Sequence, residues 1–166
     1  MKGIVSFLTT LALLMGASLV LVSATPAGRA ASKQHVVMKV KSTVGSGGGT
    51  FVLTPLGSGQ LESDAGTTQD AGLSQKHVVR GGKPVLIFTY TSTWTGTRGT
   101  IVLQERINDA PGAKPGYRVG TGVWSLLSAS GTDQYAGLTG SGKSTYAVTP
   151  HGCCVLIRYE GFVTTP

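Results

Sequence analysis

Two runs in the middle of the chain constrain its fold most. VLIFTYTSTW, residues 85–94, and TIVLQERI, residues 100–107, are dense in β-branched and aromatic residues, the types that suit a pleated, half-buried surface. The second run also alternates: Ile101, Leu103, Glu105 and Ile107 share one face, and Val102, Gln104 and Arg106 share the other. A period of two is the mark of a strand with one face buried. Gly96-Thr97-Arg98-Gly99 separates the runs, so the pair predicts an antiparallel hairpin.

The rest of the chain follows the same chemistry. From His35 to Val44, the residues Val36, Met38, Val40 and Val44 fall on one side, with Lys39 and Lys41 on the other. Residues 46–49 break that strand, Thr50–Thr54 form a second, and Pro55 stops it. Gln60–Ser63 is a short third strand, and residues 64–75 read as a polar loop. Lys76–Arg80 is another short strand, ended by Gly81-Gly82. A Pro/Gly loop over 109–116 leads to Arg118–Ser128, then Ser144–Thr149 and Cys153–Val163 close the chain. This makes eight or nine strands, with no helical periodicity after the first two dozen residues. The 25 glycines and the recurring Gly-Thr pairs suit frequent turns into new strands. An all-β domain results, a barrel or a sandwich.

The N-terminus has a different character. Met1-Lys2 is basic, and Gly3–Val22 is uncharged and mostly apolar, with small residues after it. That layout predicts a signal peptide over residues 1–24, with a second small-residue site as late as residue 30. The alternative is a retained membrane anchor, because the run is long enough to span a bilayer. Residues 25–34 read as a flexible lead-in and 35–166 as one domain. The expected location is secreted, or membrane-anchored if the leader stays on.

The net charge of +7 is scattered rather than clustered. It argues for solubility, or for loose attraction to anionic polymers, and against nucleic acid, which needs a basic groove with stacking aromatics. Cys153 and Cys154 are neighbours, so on a strand they point apart. They read as one buried and one outward thiol, with an intermolecular disulfide or a strained ring as alternatives. His35, His77 and His151 are not at ligand spacing, so no metal site is predicted, and no cofactor is called for.

AGLTGSGKST, residues 136–145, fits the G-x-x-x-x-G-K-[ST] pattern through Gly137, Gly142, Lys143 and Ser144. A working phosphate loop opens a helix, but here β-formers and then Pro150 follow, so the match reads as chance and no nucleotide is expected. The longer stretch GVWSLLSASGTDQYAGLTGSGKSTY resembles a pattern in small secreted bacterial proteins, carried here by Trp124, Gly131, Thr132, Tyr135, Ala136, Gly137, Leu138, Gly140 and Gly142. GGGTFVLT and GTRGTIVLQ look like the preceding strands, so the resemblance covers most of residues 45–149. Asp133-Gln134 stands where the pattern has a small residue.

Those proteins look like the allene oxide cyclase and dirigent barrels, the calycin-like kind. The resemblance implies a small closed antiparallel β-barrel of about eight strands around a mostly apolar cavity, with a jelly roll or sandwich as the alternative. It also implies that Thr132 caps a helical turn over 133–138, that Tyr135 and Leu138 plug one end, that Gly140 and Gly142 reverse the chain, and that Lys143 is a solvated loop residue.

Function is less legible. Glu105 is the candidate catalytic residue, because a carboxylate on an inward face has a raised pKa unless paired. The plainer reading places it at a barrel mouth, solvated or beside an arginine. Glu62 and Asp64 read as a polar turn before they read as a glycosidase pair. Tyr90, Trp124 and Tyr159 are candidate ligand-binding aromatics that suit the core equally well. The favoured expectation is a non-catalytic barrel binding a small apolar molecule. The alternatives are an isomerase or cyclase working on a lipid-derived or phenolic intermediate, and a structural or surface-interaction protein with a filled interior. Assembly into a homo-oligomer is compatible with all three.

Overall fold

The computed structural model describes residues 31–127, 130–150 and 154–166. The predicted leader and Cys153 lie outside them. Eight strands run in chain order: β1 (Ser32–Ser42), β2 (Gly48–Leu56), β3 (Asp64–Arg80), β4 (Lys83–Gly96), β5 (Gly99–Pro111), β6 (Arg118–Leu126), β7 (Thr139–Val148) and β8 (Val155–Thr165). Each pairs antiparallel with its sequence neighbour, and β8 returns to β1, so the sheet closes into an up-and-down barrel. Closure leaves the barrel wall without an edge.

Alternation sets the wall. Val36, Met38 and Val40 of β1 point inward with Phe51 and Leu53 of β2, Ile101, Leu103 and Ile107 of β5, and Val163 of β8. Trp94 lies at the centre, 5.0 Å from the Phe51 ring and 5.2 Å edge-on from Tyr159. Paired aromatics of this geometry add to the area they bury.

The chain departs from the sequence reading at several places. Residues 64–75 are not a loop, and Gln60–Ser63 is not a strand: Asp64 begins a single 17-residue strand that runs to Arg80. From Gln69 to His77 every residue of β3 is exposed, so no buried face imposes alternation there. β2 pairs with β3 no further than Gln69, while β4 accompanies β3 to the tip, through an irregularity between Ala71 and Ser74. The result is a two-stranded arm. Its turn, Arg80-Gly81-Gly82-Lys83, has φ of 56° and 74° at the two glycines, the left-handed pair that a tight hairpin needs. Residues 32–34, read as lead-in, belong to β1, where Gln34 is buried and bonds to the Leu61 backbone. Val44 lies past the end of β1 and is exposed.

The two barrel ends differ. At one end the chain between β6 and β7 folds inward through a single 3-10 turn, Asp133–Tyr135, and Tyr135 and Leu138 are buried in the barrel. The plug expected from the resemblance is present, but its helical turn is three residues long. Thr132 makes no side-chain cap; its hydroxyl instead accepts from the Thr100 backbone N–H at 3.0 Å. Among the described residues, the other end is open.

Candidate functional site

The open end holds a hollow of about 610 Å³. Phe88, Ile107, Val155 and Ile157 form its inner wall, and Leu73 extends the apolar surface onto the arm. Polar side chains reach it as well: Tyr90, Tyr146 and Asp70, and also Ser42, Thr43, Ser46 and Gln75. The volume falls in the range that small-molecule pockets occupy.

Beneath Tyr90 sits the least expected feature of the interior. Glu105 is only 1% exposed, neither solvated nor beside an arginine as the plainer reading had it. β4 and β5 set Tyr90 opposite Glu105, and its hydroxyl donates to Glu105 Oε2 at 2.5 Å. Tyr159, brought from β8 by barrel closure, donates to the same oxygen at 2.6 Å. Glu105 Oε1 has no regular hydrogen bond, nor has Ser144 Oγ. Burial raises the Glu105 pKa, and the nearby Asp70 adds to the rise; Ser144, Tyr159 and Tyr90 pull it down without cancelling it. A proton on Oε1 would give Ser144 Oγ a donor while leaving Oε2 to accept from both phenols. The same burial, with the Glu105 charge beside them, raises both phenols.

A second chain of bonds reaches the same hollow. Ser92 Oγ donates to Asp70 Oδ1 at 2.6 Å, and Trp94 Nε1 donates to Ser92 Oγ at 3.0 Å. The central tryptophan is thereby tied to a carboxylate at the rim.

The other expected site residues are placed as follows. Tyr90 lines the hollow, whereas Trp124 and Tyr159 are 2% and 1% exposed and stand in the core rather than on its wall. Trp124 lies across Gly142 and Gly161: a Cβ on either would come within 2.7 or 2.8 Å of its indole. Gly140 and Gly142 are therefore interior positions of β7, not a chain reversal. Lys143 is an exposed strand residue, and Ser144 faces inward at 2% exposure. The residues of the phosphate-loop match thus lie mostly in a strand, without the helix start that a phosphate cradle uses.

Glu62 and Asp64 do not face one another across a site. Glu62 pairs with Arg98 at the surface. Asp64 is buried and accepts hydrogen bonds from the backbone N–H groups of Ala65, Thr97 and Arg98, from Thr97 Oγ1 at 2.8 Å, and from Tyr135 OH at 2.7 Å. Burial alone would raise its pKa, but these donors together hold it at about 2. Asp64 thus fastens the plug to the turn between β4 and β5.

Asp109 was not singled out in the sequence. It is 1% exposed and bonds to Arg118 Nε at 2.7 Å; burial raises its pKa against the pull of that arginine. Its place in the inward series of β5, two residues beyond Ile107, was the available signal. Cys154 is half-buried ahead of β8. Among the described residues, no three His, Cys, Asp or Glu side chains gather as a metal site would require.

No family model matches this chain, and neither a curated protein nor a solved structure matches it.

Proposed function

We propose that this is an exported barrel that holds one small, largely apolar molecule in the hollow at its open end. The observation that carries the reading is a hollow of roughly 610 Å³ whose inner wall is built from Phe88, Ile107, Val155 and Ile157, with the polar groups of Tyr90 and Asp70 beside that wall. An apolar body would gain from the wall, and a single hydroxyl or amine on it would find Tyr90 or Asp70. The likeness of residues 45–149 to the allene oxide cyclase and dirigent barrels is consistent with an occupant of this kind.

The test uses an environment-sensitive apolar fluorophore and a variant that fills the hollow. Val155 lines it from the start of β8. Val155→Trp should weaken binding by roughly tenfold or more, about 1.4 kcal/mol, while the far-ultraviolet spectrum is unchanged. Equal binding by the two proteins would place the dye on the outer wall and remove the reading. Native mass spectrometry of the protein from its producer's medium would then identify a co-purifying compound.

One observation favours a second reading, an isomerase or cyclase. Tyr90 touches the hollow and also donates to the buried Glu105 carboxyl, so a proton could pass between ligand and carboxyl through one phenol. Under this reading Glu105→Gln keeps ligand binding and abolishes turnover. Unchanged turnover in that variant would exclude a catalytic Glu105.

A further inference from the structure

Outside the barrel, on the far side of the wall from the hollow just described, three cations from separate strands meet around a second depression. Arg80 comes from the tip of the arm, Arg106 from β5 and Lys143 from β7. The depression encloses about 540 Å³, and no carboxylate lines it. The ion pairs among the described residues engage His35, Arg98, Arg118 and Arg158, and none of these three.

Register explains the convergence. Arg106 is opposite Val123, and Val123 is opposite Lys143, so the two cations flank β6 at one level, roughly 10 Å apart along the sheet. Thr121 and Thr145 form the adjoining row, opposite one another, and both line the depression. Their hydroxyls make no hydrogen bond that competes for them within the described chain. Val123 is 56% exposed between the two cations. The arm supplies the remaining side through Arg80. Like charges held together without a counter-charge repel one another, and an anion among them removes the repulsion.

We propose that this depression binds a phosphate monoester. Several separate cations and hydroxyl donors call for a group with more than one charge and several acceptor oxygens, which a phosphate supplies and a carboxylate does not. Val123 offers the ester's organic body an apolar contact that the bare ion cannot use. The site needs no helix N-terminus: Lys143 serves it as an outward residue of a strand.

The test is an NMR titration of the 15N-labelled chain at about pH 7.5, where a monoester is close to dianionic, with phenyl phosphate, inorganic phosphate and phenol as probes. Expected are saturable shifts of the amides around residues 106, 121–123 and 143–145, with phenyl phosphate roughly threefold tighter than inorganic phosphate and phenol inert. A double variant, Arg106→Gln with Lys143→Gln, should weaken phenyl phosphate by roughly tenfold. The control, Lys39→Gln with Lys41→Gln, removes the same charge from the β1 wall and should change it little. An equal loss in the control would reduce the effect to general charge attraction and overturn the site. Shifts that do not saturate, or that map elsewhere in the unaltered chain, would overturn it too. Inorganic phosphate binding as tightly as the ester would overturn the ester assignment and identify the free ion as the source.

Discussion

Tyr90 and Glu105 stand directly opposite each other on β4 and β5, and the Tyr90 hydroxyl donates to Glu105 Oε2 at 2.5 Å. With Tyr159 donating to the same oxygen from β8, one carboxyl joins strands that are far apart in the chain. It does so in a core where a charge is costly to hold, and this gives the group a measurable pH signature.

Folding favours the protonated Glu105, because burial raises its pKa above the ordinary 4.5. Below that ordinary value both folded and unfolded chains hold the proton, and its stabilising contribution is fully present. As pH rises, the unfolded chain releases the proton first, and stability falls by about 1.4 kcal/mol per pH unit until the folded pKa is passed. Asp109 is raised as well, so the informative quantity is a difference between two proteins. Glu105→Gln should flatten the fall in urea-unfolding free energy as pH rises above about 5. Parallel curves for variant and parent would mean that Glu105 is ionised in the fold.

Asp64 has the opposite sign. Its donors hold it at about 2 against an ordinary 3.8, so its contribution is present above the ordinary value and is lost as pH falls through about 2. Tyr135→Phe removes one donor and leaves the ring in the plug. It should cost about 1–2 kcal/mol and move the acid transition to higher pH. Near-ultraviolet circular dichroism during acid titration reads both the plug and the transition. An unshifted acid midpoint would mean that the Tyr135 bond adds nothing to the other donors.

These two carboxyls show what the sequence could and could not disclose. The inward face of β5 was readable, Glu105 included, because Ile101, Leu103 and Ile107 alternate around it. Its partners were not, since Tyr159 meets it only when β8 closes onto β1 and β7, a relation of register rather than of pattern. The outer half of β3 was misread for a related reason. Periodicity reports a difference in burial between two faces, and residues 69–77 have no buried face; they are strand because their backbone pairs with β4. Glu62 and Asp64 read as one polar turn, and the sequence did not show that the first meets Arg98 at the surface while the second is buried against the plug. The glycines at 140 and 142 looked like a turn, because a sequence does not show a large ring lying over a strand.

That ring gives a sharp mutational contrast. A Cβ at Gly142 would stand 2.7 Å from Trp124 Nε1 and would also run into the Glu160 carbonyl. Neither the β8 backbone nor an indole buried at 2% exposure yields without repacking. Gly142→Ala should therefore destabilise by about 1–3 kcal/mol, whereas Ser141→Ala, exposed one residue earlier on the outer face, should stay within about 0.5 kcal/mol of the parent. Urea midpoints and Trp fluorescence check both. Equal stabilities would show that the wall accommodates the methyl group.

The last test concerns Asp133, where the chain departs from the pattern that its neighbours follow. The residue has φ of 51°, the one positive value among the described non-glycine residues, and it opens the 3-10 turn that carries Tyr135 into the barrel. Aspartate tolerates this left-handed region better than most side chains, and its Oδ2 accepts from Thr132 Oγ1 at 3.1 Å, but glycine enters it without steric cost. Asp133→Gly should accordingly lie between neutral and about 1 kcal/mol more stable, the relief of strain being offset by the greater freedom of glycine in the unfolded chain. Asp133→Val, with a branched Cβ that the left-handed region excludes, should lose about 1–2 kcal/mol. Thermal unfolding of the two variants beside the parent decides the matter. The order Gly, Asp, Val in falling stability supports strain at the entrance to the plug, and a stable valine variant would remove it.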